Sequence, residues 1–239
     1  MFQRVILPFL LAVSILAGIS VVFAKGTGFQ KAGAANSVPP TILLDAGHGG
    51  EDGGAVSESG ILEKELNLAI AKRLQTLLTA NGFHVLMTRT EDELLYDKNA
   101  DYQGRKKALD LAARREIAEQ TPNCVFISVH MNSYPDSRYD GLQVWYSPNN
   151  PASKTLADTL QETVRTRLQP ENNRKTKAAT STIYLLHKLT VPAVLVECGF
   201  LSNPAEAEKL NTPEYQEKLA LVLALAISNA CRNIPFPSV

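Results

Sequence analysis

From Thr41 onward, short apolar runs alternate with longer stretches whose apolar residues recur at helical spacing, and few folds accommodate that alternation. Thr41–Asp45, Phe83–Met87, Val125–His130, Leu142–Tyr146 and Ala193–Glu197 read as strands, several of them rich in Val and Ile. Between them, Glu63–Ala80 places Leu66, Ala69, Ile70, Leu74 and Leu77 on one helical face and ends at Asn81-Gly82, a helix stop. Arg105–Glu119 and Ser153–Leu168 follow the same spacing, and Pro213–Cys231 opens with a proline suited to a first helical turn. The expectation is a single α/β domain, with a twisted, mostly parallel or mixed sheet of about six strands flanked by helices.

Composition sets the outer bounds. The chain has 239 residues, 45% of them hydrophobic and 20% charged, enough for one good core. With 24 basic and 24 acidic side chains, it lacks the basic excess that captures nucleic acid. Cys124, Cys198 and Cys231 are odd in number and contain no CxxC pair, which argues against a disulfide framework and excludes a Cys-rich zinc site. Val5–Ala24 carries no charge and is long enough to cross a bilayer, while Val22-Phe23-Ala24 offers small residues at a cleavage position. Residues 1–24 are therefore expected to be a signal peptide or a retained anchor, and either one exports the rest of the chain. Residues 25–40, rich in Gly, Ala, Ser and Pro, read as a flexible linker, 41–232 as the folded domain and 233–239 as a tail.

Four polar residues stand where an α/β sheet puts its chemistry. The first strand runs into Asp45-Ala46-Gly47-His48-Gly49-Gly50, a glycine-rich turn that can aim an imidazole away from the sheet. It carries neither a Walker lysine pattern nor GxGxxG. Glu63 opens the next helix, where a carboxylate also suits the helix dipole. His130 closes Phe126-Ile127-Ser128-Val129-His130 and Glu197 closes Val194-Leu195-Val196-Glu197, polar ends on buried strands that need partners at the sheet edge. In parallel strands those ends share one edge, which is where open α/β sheets bind ligands. Two His and one Glu make a three-ligand set suited to catalytic Zn2+ with a position left for water, and a fourth carboxylate can carry the proton.

The segments Asp45-Ala46-Gly47-His48-Gly49-Gly50, Glu63-Lys64, Phe126–Ser133 and Pro192–Asn203, in that order, resemble the zinc-dependent N-acetylmuramoyl-L-alanine amidase family, amidase type 3, across Thr41–Arg232. The resemblance implies that His48, Glu63 and His130 hold zinc and that Glu197 is the catalytic carboxylate. Arg89 and Arg114 also fall where the family has arginines, and are read here as surface salt links. Ala46 stands where the family usually has proline, Glu65 where it often has aspartate, and Asn123-Cys124 where an aspartate often precedes the strand-ending histidine. These departures leave the ligand set intact. The compact form with an N-terminal hydrophobic segment, Asn173–Lys177 and Tyr184–His187 is most similar to the germination-related subgroup of spore formers, whose members strip peptides from muramic acid so that muramic lactam can form in the cortex.

The expected activity is hydrolysis of the amide between N-acetylmuramic acid and L-alanine in peptidoglycan, in an extracytoplasmic setting such as the cell wall or the forespore intermembrane space. The rivals are a zinc peptidase acting on wall peptides and a non-catalytic peptidoglycan-binding module. An activator protein is compatible as a partner, and the membrane is engaged only through the N-terminal segment. His84 and His187 read as partly exposed structural residues, and Arg174–Lys177 as a solvated loop within reach of anionic substrate.

Overall fold

The computed structural model describes residues 40–96, 99, 103–232 and 234. The N-terminal segment expected at 1–24 and the linker at 25–40 lie outside these residues except for Pro40, as does the tail at 233–239 except for Ile234. Within them run β1 (Thr41–Ala46), α1 (Glu63–Ala80), β2 (His84–Met87), α2 (Lys106–Gln120), β3 (Cys124–Asn132) and β4 (Gln143–Tyr146). Then follow α3 (Pro151–Arg167), β5 (Lys177–Ala178), α4 (Tyr184–Lys188), β6 (Ala193–Phe200), α5 (Pro204–Leu210) and α6 (Pro213–Cys231). No helix among the described residues is long and apolar enough to cross a membrane.

The six strands form one mixed sheet in the order β2-β1-β3-β6-β4-β5. β2, β1, β3 and β6 are mutually parallel, whereas β4 runs antiparallel to β6 and carries the two-residue β5 beside it. Within the parallel block β1, β3 and β6 are buried on both faces and read as nearly continuous apolar runs, whereas the edge strand β2 is exposed on one face. Ile42, Leu44, Val125, Ile127, Val194 and Val196 face the larger core with α1, α3 and α6, while Leu43, Phe126 and Leu195 face the smaller one with α2 and α4. On α1, Leu66, Ile70, Leu74 and Leu78 make up the buried stripe, each contributing about 1.5–3 kcal/mol by leaving water.

The end of α1 shows why the sequence stops the helix there. Gly82 takes φ 85°, which costs a residue without Cβ little, and its N–H donates to Thr79 O at 3.0 Å while Phe83 N–H donates to Leu78 O at 3.2 Å. This paired cap turns the chain directly into β2.

Three strands run past their expected ends, β1 to Ala46, β3 to Asn132 and β6 to Phe200. Between the His130–Glu197 and Asn132–Phe200 pairings β6 carries one residue more than β3, a bulge beside the candidate site. β5 and α5 are additional to the elements expected from the sequence, both too short for periodicity to mark them, while α4 ends at Lys188, beside His187, where a helix end is expected.

Candidate metal centre

His48 lies two residues beyond β1, with φ 61°, a left-handed conformation that costs a β-carbon-bearing residue about 1–2 kcal/mol. Two buried arginines hold the turn in that shape. Arg114 donates to Ala46 O at 2.8 Å and to His48 O at 2.7 Å, and Arg89 donates to Ala46 O at 2.8 Å and Gly47 O at 3.0 Å. Arg114 is itself fixed by Asp45 Oδ1 at 2.6 Å and Asp110 Oδ2 at 2.7 Å. Asp45 is completed by Thr88 Oγ1 at 2.8 Å and Ser128 Oγ at 2.6 Å. Burial alone would raise the Asp45 carboxyl, but the Arg114 guanidinium and the Ser128 hydroxyl outweigh it and hold it below its ordinary value. The two arginines are 2% and 1% exposed, so the expectation of surface salt links is corrected: both lie inside the domain and brace the histidine loop.

Glu63 is the first residue of α1, but its carboxylate serves the sheet edge rather than its own helix. Oε1 accepts from Met131 N–H at 3.0 Å and lies 2.8 Å from His130 Nδ1; Oε2 accepts from Ala55 N–H at 2.8 Å and lies 3.2 Å from His48 Nε2. β1 makes its last pairing at Ala46–Val129, which leaves the Met131 N–H for the carboxylate. Asn67, one turn along α1, donates to Glu63 Oε1 at 3.3 Å and to Gly47 O at 3.1 Å, tying helix to loop. Burial opposes the charged form, but the hydrogen bonds to His130 and His48 outweigh it and keep Glu63 well below the usual carboxylate range. For His48, burial lowers the pKa, and the carboxylates of Glu63 and then Asp52 raise it above its ordinary value. Asp52 Oδ2 is 2.9 Å from His48 Nδ1, though out of line with a ring N–H.

The donor atoms of His48, Glu63 and His130 all lie within 4.8 Å of one another, and the two imidazoles meet edge to face with centroids 5.0 Å apart. The chemistry of this set fits a divalent cation: an ionised carboxylate and two imidazoles whose protons the ion would displace. Gly54 keeps the group compact. At φ 69°, a β-carbon there would sit 2.6 Å from Glu63 Oε2 and 2.8 Å from His48 Cδ2.

Glu197 pairs in register with His130 on one side and with Gln143 on the other. Its Oε2 is buried and, among the described residues, has no hydrogen-bond partner. Burial raises its carboxyl, His130 pulls it down, Glu63 pushes it back up, and the balance is about 7. The fold thus brings together all four residues singled out in the sequence. His84 instead lies away from them, with Nδ1 3.3 Å from Thr41 Oγ1, and His187 is exposed on α4. Asp52, Asn67 and the buried Asp45–Arg114–Asp110 cluster were not foreseen. Only the i, i+4 spacings His48–Asp52, Glu63–Asn67 and Asp110–Arg114 hinted at any of them.

A carboxylate and two imidazoles converge beside a second carboxylate at the C-terminal edge of an α/β sheet, a donor set able to hold a metal ion in the manner of metal-dependent hydrolases. The chain belongs to the N-acetylmuramoyl-L-alanine amidase family, whose profile matches residues 42–229, and it is an amidase of peptidoglycan. It is 37% identical over 179 residues to the germination-specific N-acetylmuramoyl-L-alanine amidase of Bacillus subtilis, covering 75% of this chain and 74% of that one. Among solved structures it resembles the CwlD amidase of Clostridioides difficile, solved in complex with the GerS lipoprotein, at 37% identity and TM-score 0.75, covering 80% of this chain and 98% of that one. The amidase AmiC2 of Nostoc punctiforme matches at 30% identity and TM-score 0.68, covering 82% and 99%.

Proposed function

We propose that the protein is a zinc amidase of spore-cortex peptidoglycan, cutting the bond between the lactyl carbonyl of N-acetylmuramic acid and L-alanine. His48, Glu63 and His130 would hold the ion and Glu197 would move the proton. The observation that carries this reading is the convergence of the three donors within 4.8 Å on a sheet edge where Glu197 is the register partner of His130. Bound zinc supplies Lewis acidity, polarising the scissile carbonyl and acidifying water. Glu197 takes the proton of the attacking water on its buried oxygen and returns it to the departing amine of L-alanine. In the metal-free protein that carboxyl is balanced near 7, a group able both to take and to return a proton. Glu63, saturated by donors, stays ionised throughout.

The cortex assignment is supported by the likeness to a germination-specific amidase. Removing the peptide leaves a free lactyl carboxyl on muramic acid, the group that closure to a muramic lactam consumes. Export by the N-terminal segment, into the wall or the forespore intermembrane space, belongs to the same reading. The relative solved in complex with a lipoprotein supports a membrane-tethered partner protein that activates the enzyme there.

The test is zinc content and product identity together. Purified peptidoglycan should release peptides with a free L-alanine amine, and chelation should abolish release. Zinc with trimmed peptides and an intact lactyl amide would move the enzyme to the peptidases. No bound zinc at all would refute the ligand set.

A further inference from the structure

Beside the four site residues lies a cleft of about 350 Å³ that contains none of them. It begins where they end: Asn132 is two residues beyond His130 on β3, Phe200 three beyond Glu197 on β6, and Gln143 is the register partner of Glu197 on β4. Gln143 also donates to Lys175 O at 2.7 Å, which fastens the 174–177 segment across the cleft. Arg174 and Lys177 line it, and among the described residues neither has an ion-pair partner.

The aromatic side chains there are arranged for charge. The Arg174 guanidinium lies 4.4 Å from the Phe200 centroid and 5.4 Å from that of Tyr139, and the Lys177 ammonium lies 5.2 Å from the Trp145 centroid. Stacked cations cover these ring faces, which are then not open to the flat face of a sugar. Arg174 spends only its Nε, on Asp140 O at 2.6 Å, so stacking leaves its paired Nη edge to receive a carboxylate. Two unpaired cations so close to the scissile bond select for an anion. In the proposed substrate the lactyl carboxyl of the glycan is consumed in the amide, whereas the stem peptide carries free carboxylates.

We propose that this cleft is the acidic-peptide subsite of the enzyme, with Arg174 and Lys177 pairing with carboxylates of the stem peptide beyond L-alanine. The inference rests on the amidase reading and gives it a direction: peptide toward β4 and β5.

The test uses the full chain and two synthetic peptides, L-Ala-γ-D-Glu-L-Lys with free carboxylates and the same peptide with them amidated, measured by calorimetry. Wild type should bind the acidic peptide roughly ten- to a hundredfold more tightly, and the R174Q and K177Q variants should erase that preference. R174K, which keeps the charge, should restore part of it. On disaccharide-peptide substrate the two glutamine variants should raise KM by the same factor and leave kcat within about twofold. Equal binding of the two peptides by wild type would overturn the proposal. So would variants that weaken both alike, or that weaken a peptide-free glycan instead. Failure of the amidase reading would look different, as an absence of L-alanine amine release by wild type whatever the peptides do.

Discussion

Replacing Arg114 with methionine should damage both stability and metal affinity, because one guanidinium ties a buried carboxylate pair to the loop that carries His48. The structure sets the magnitude. Arg114 makes contacts of 2.6 Å to Asp45, 2.7 Å to Asp110, 2.8 Å to Ala46 O and 2.7 Å to His48 O, at 1% exposure. Summing four charge-assisted bonds at about 1.5–3 kcal/mol each would overshoot, since the members of one network are not additive. The relevant loss is that of one partner from a buried ion pair, about 3–5 kcal/mol. For a domain of this size that is a fall in Tm of roughly 6–20 °C. Because the same side chain braces His48, zinc affinity should drop about ten- to a hundredfold, as when a partner behind a metal ligand is lost. Urea unfolding of the chelated protein gives the first number and competition with a zinc chromophore the second. The pairing of D45N with R114M supplies a control, since removing both charges should cost less than the sum of the single losses. A stability change under 1 kcal/mol, or weakened stability with unaltered zinc affinity, would refute the bracing argument.

E197Q should keep its zinc and lose turnover by about 10²–10⁴-fold, the usual share of a positioned acid–base group, read by metal analysis beside amine release. H130A should instead lose bound zinc, and full occupancy in that variant would break the ligand assignment. G54A should cost about 1–3 kcal/mol and lower metal content, since its β-carbon would meet Glu63 and His48 on a backbone at φ 69°; calorimetric melting with and without zinc checks this. Asp45 has a folded pKa below its unfolded one, so its stabilisation is present above about pH 3.8 and is lost as pH falls through the lower folded value. Acid titration of wild type followed by circular dichroism should show that limb, and D45N, already weaker at pH 7, should show less of it.

The elements that sequence reading found are those whose physics is local. Glu63–Ala80 and Pro213–Cys231 match the structure end to end, because a long amphipathic stripe with a Gly82 cap or an opening proline carries its own boundaries. His130 and Glu197 were visible for a related reason: a titratable side chain closing an apolar run contradicts burial unless the strand ends at a site, whereas His48 was marked by its glycine-rich turn and Glu63 by its place at a helix start. Arg89 and Arg114 were misplaced because burial of a guanidinium depends on carboxylates and carbonyls up to 69 residues away, which no window of sequence contains. β5 was hidden likewise, being two residues held only by pairing with Trp145 and Tyr146. The direction of β4 was open too, although it decides the cleft: running antiparallel, it brings Gln143, its first residue, to the catalytic edge.

The two glutamates at this edge show how one sheet assigns different work to the same side chain. Glu63 stands one residue into a helix, yet backbone N–H groups from Ala55 and Met131 and rings from His48 and His130 converge on it, so its charge is stabilised despite burial. Glu197 is flanked by paired strands, and among the described residues its Oε2 has no hydrogen-bond partner, so burial governs and the proton is held until about 7 in the metal-free protein. Environments that push two carboxyls apart in this way suit Glu63 to hold an ion and Glu197 to carry a proton, the roles proposed for them. The separation is also mutual, because the fixed charge on Glu63 is one of the forces raising Glu197. Neutralising Glu63 with glutamine would therefore do more than remove a ligand. In the metal-free protein it would also remove one of the forces that raise Glu197.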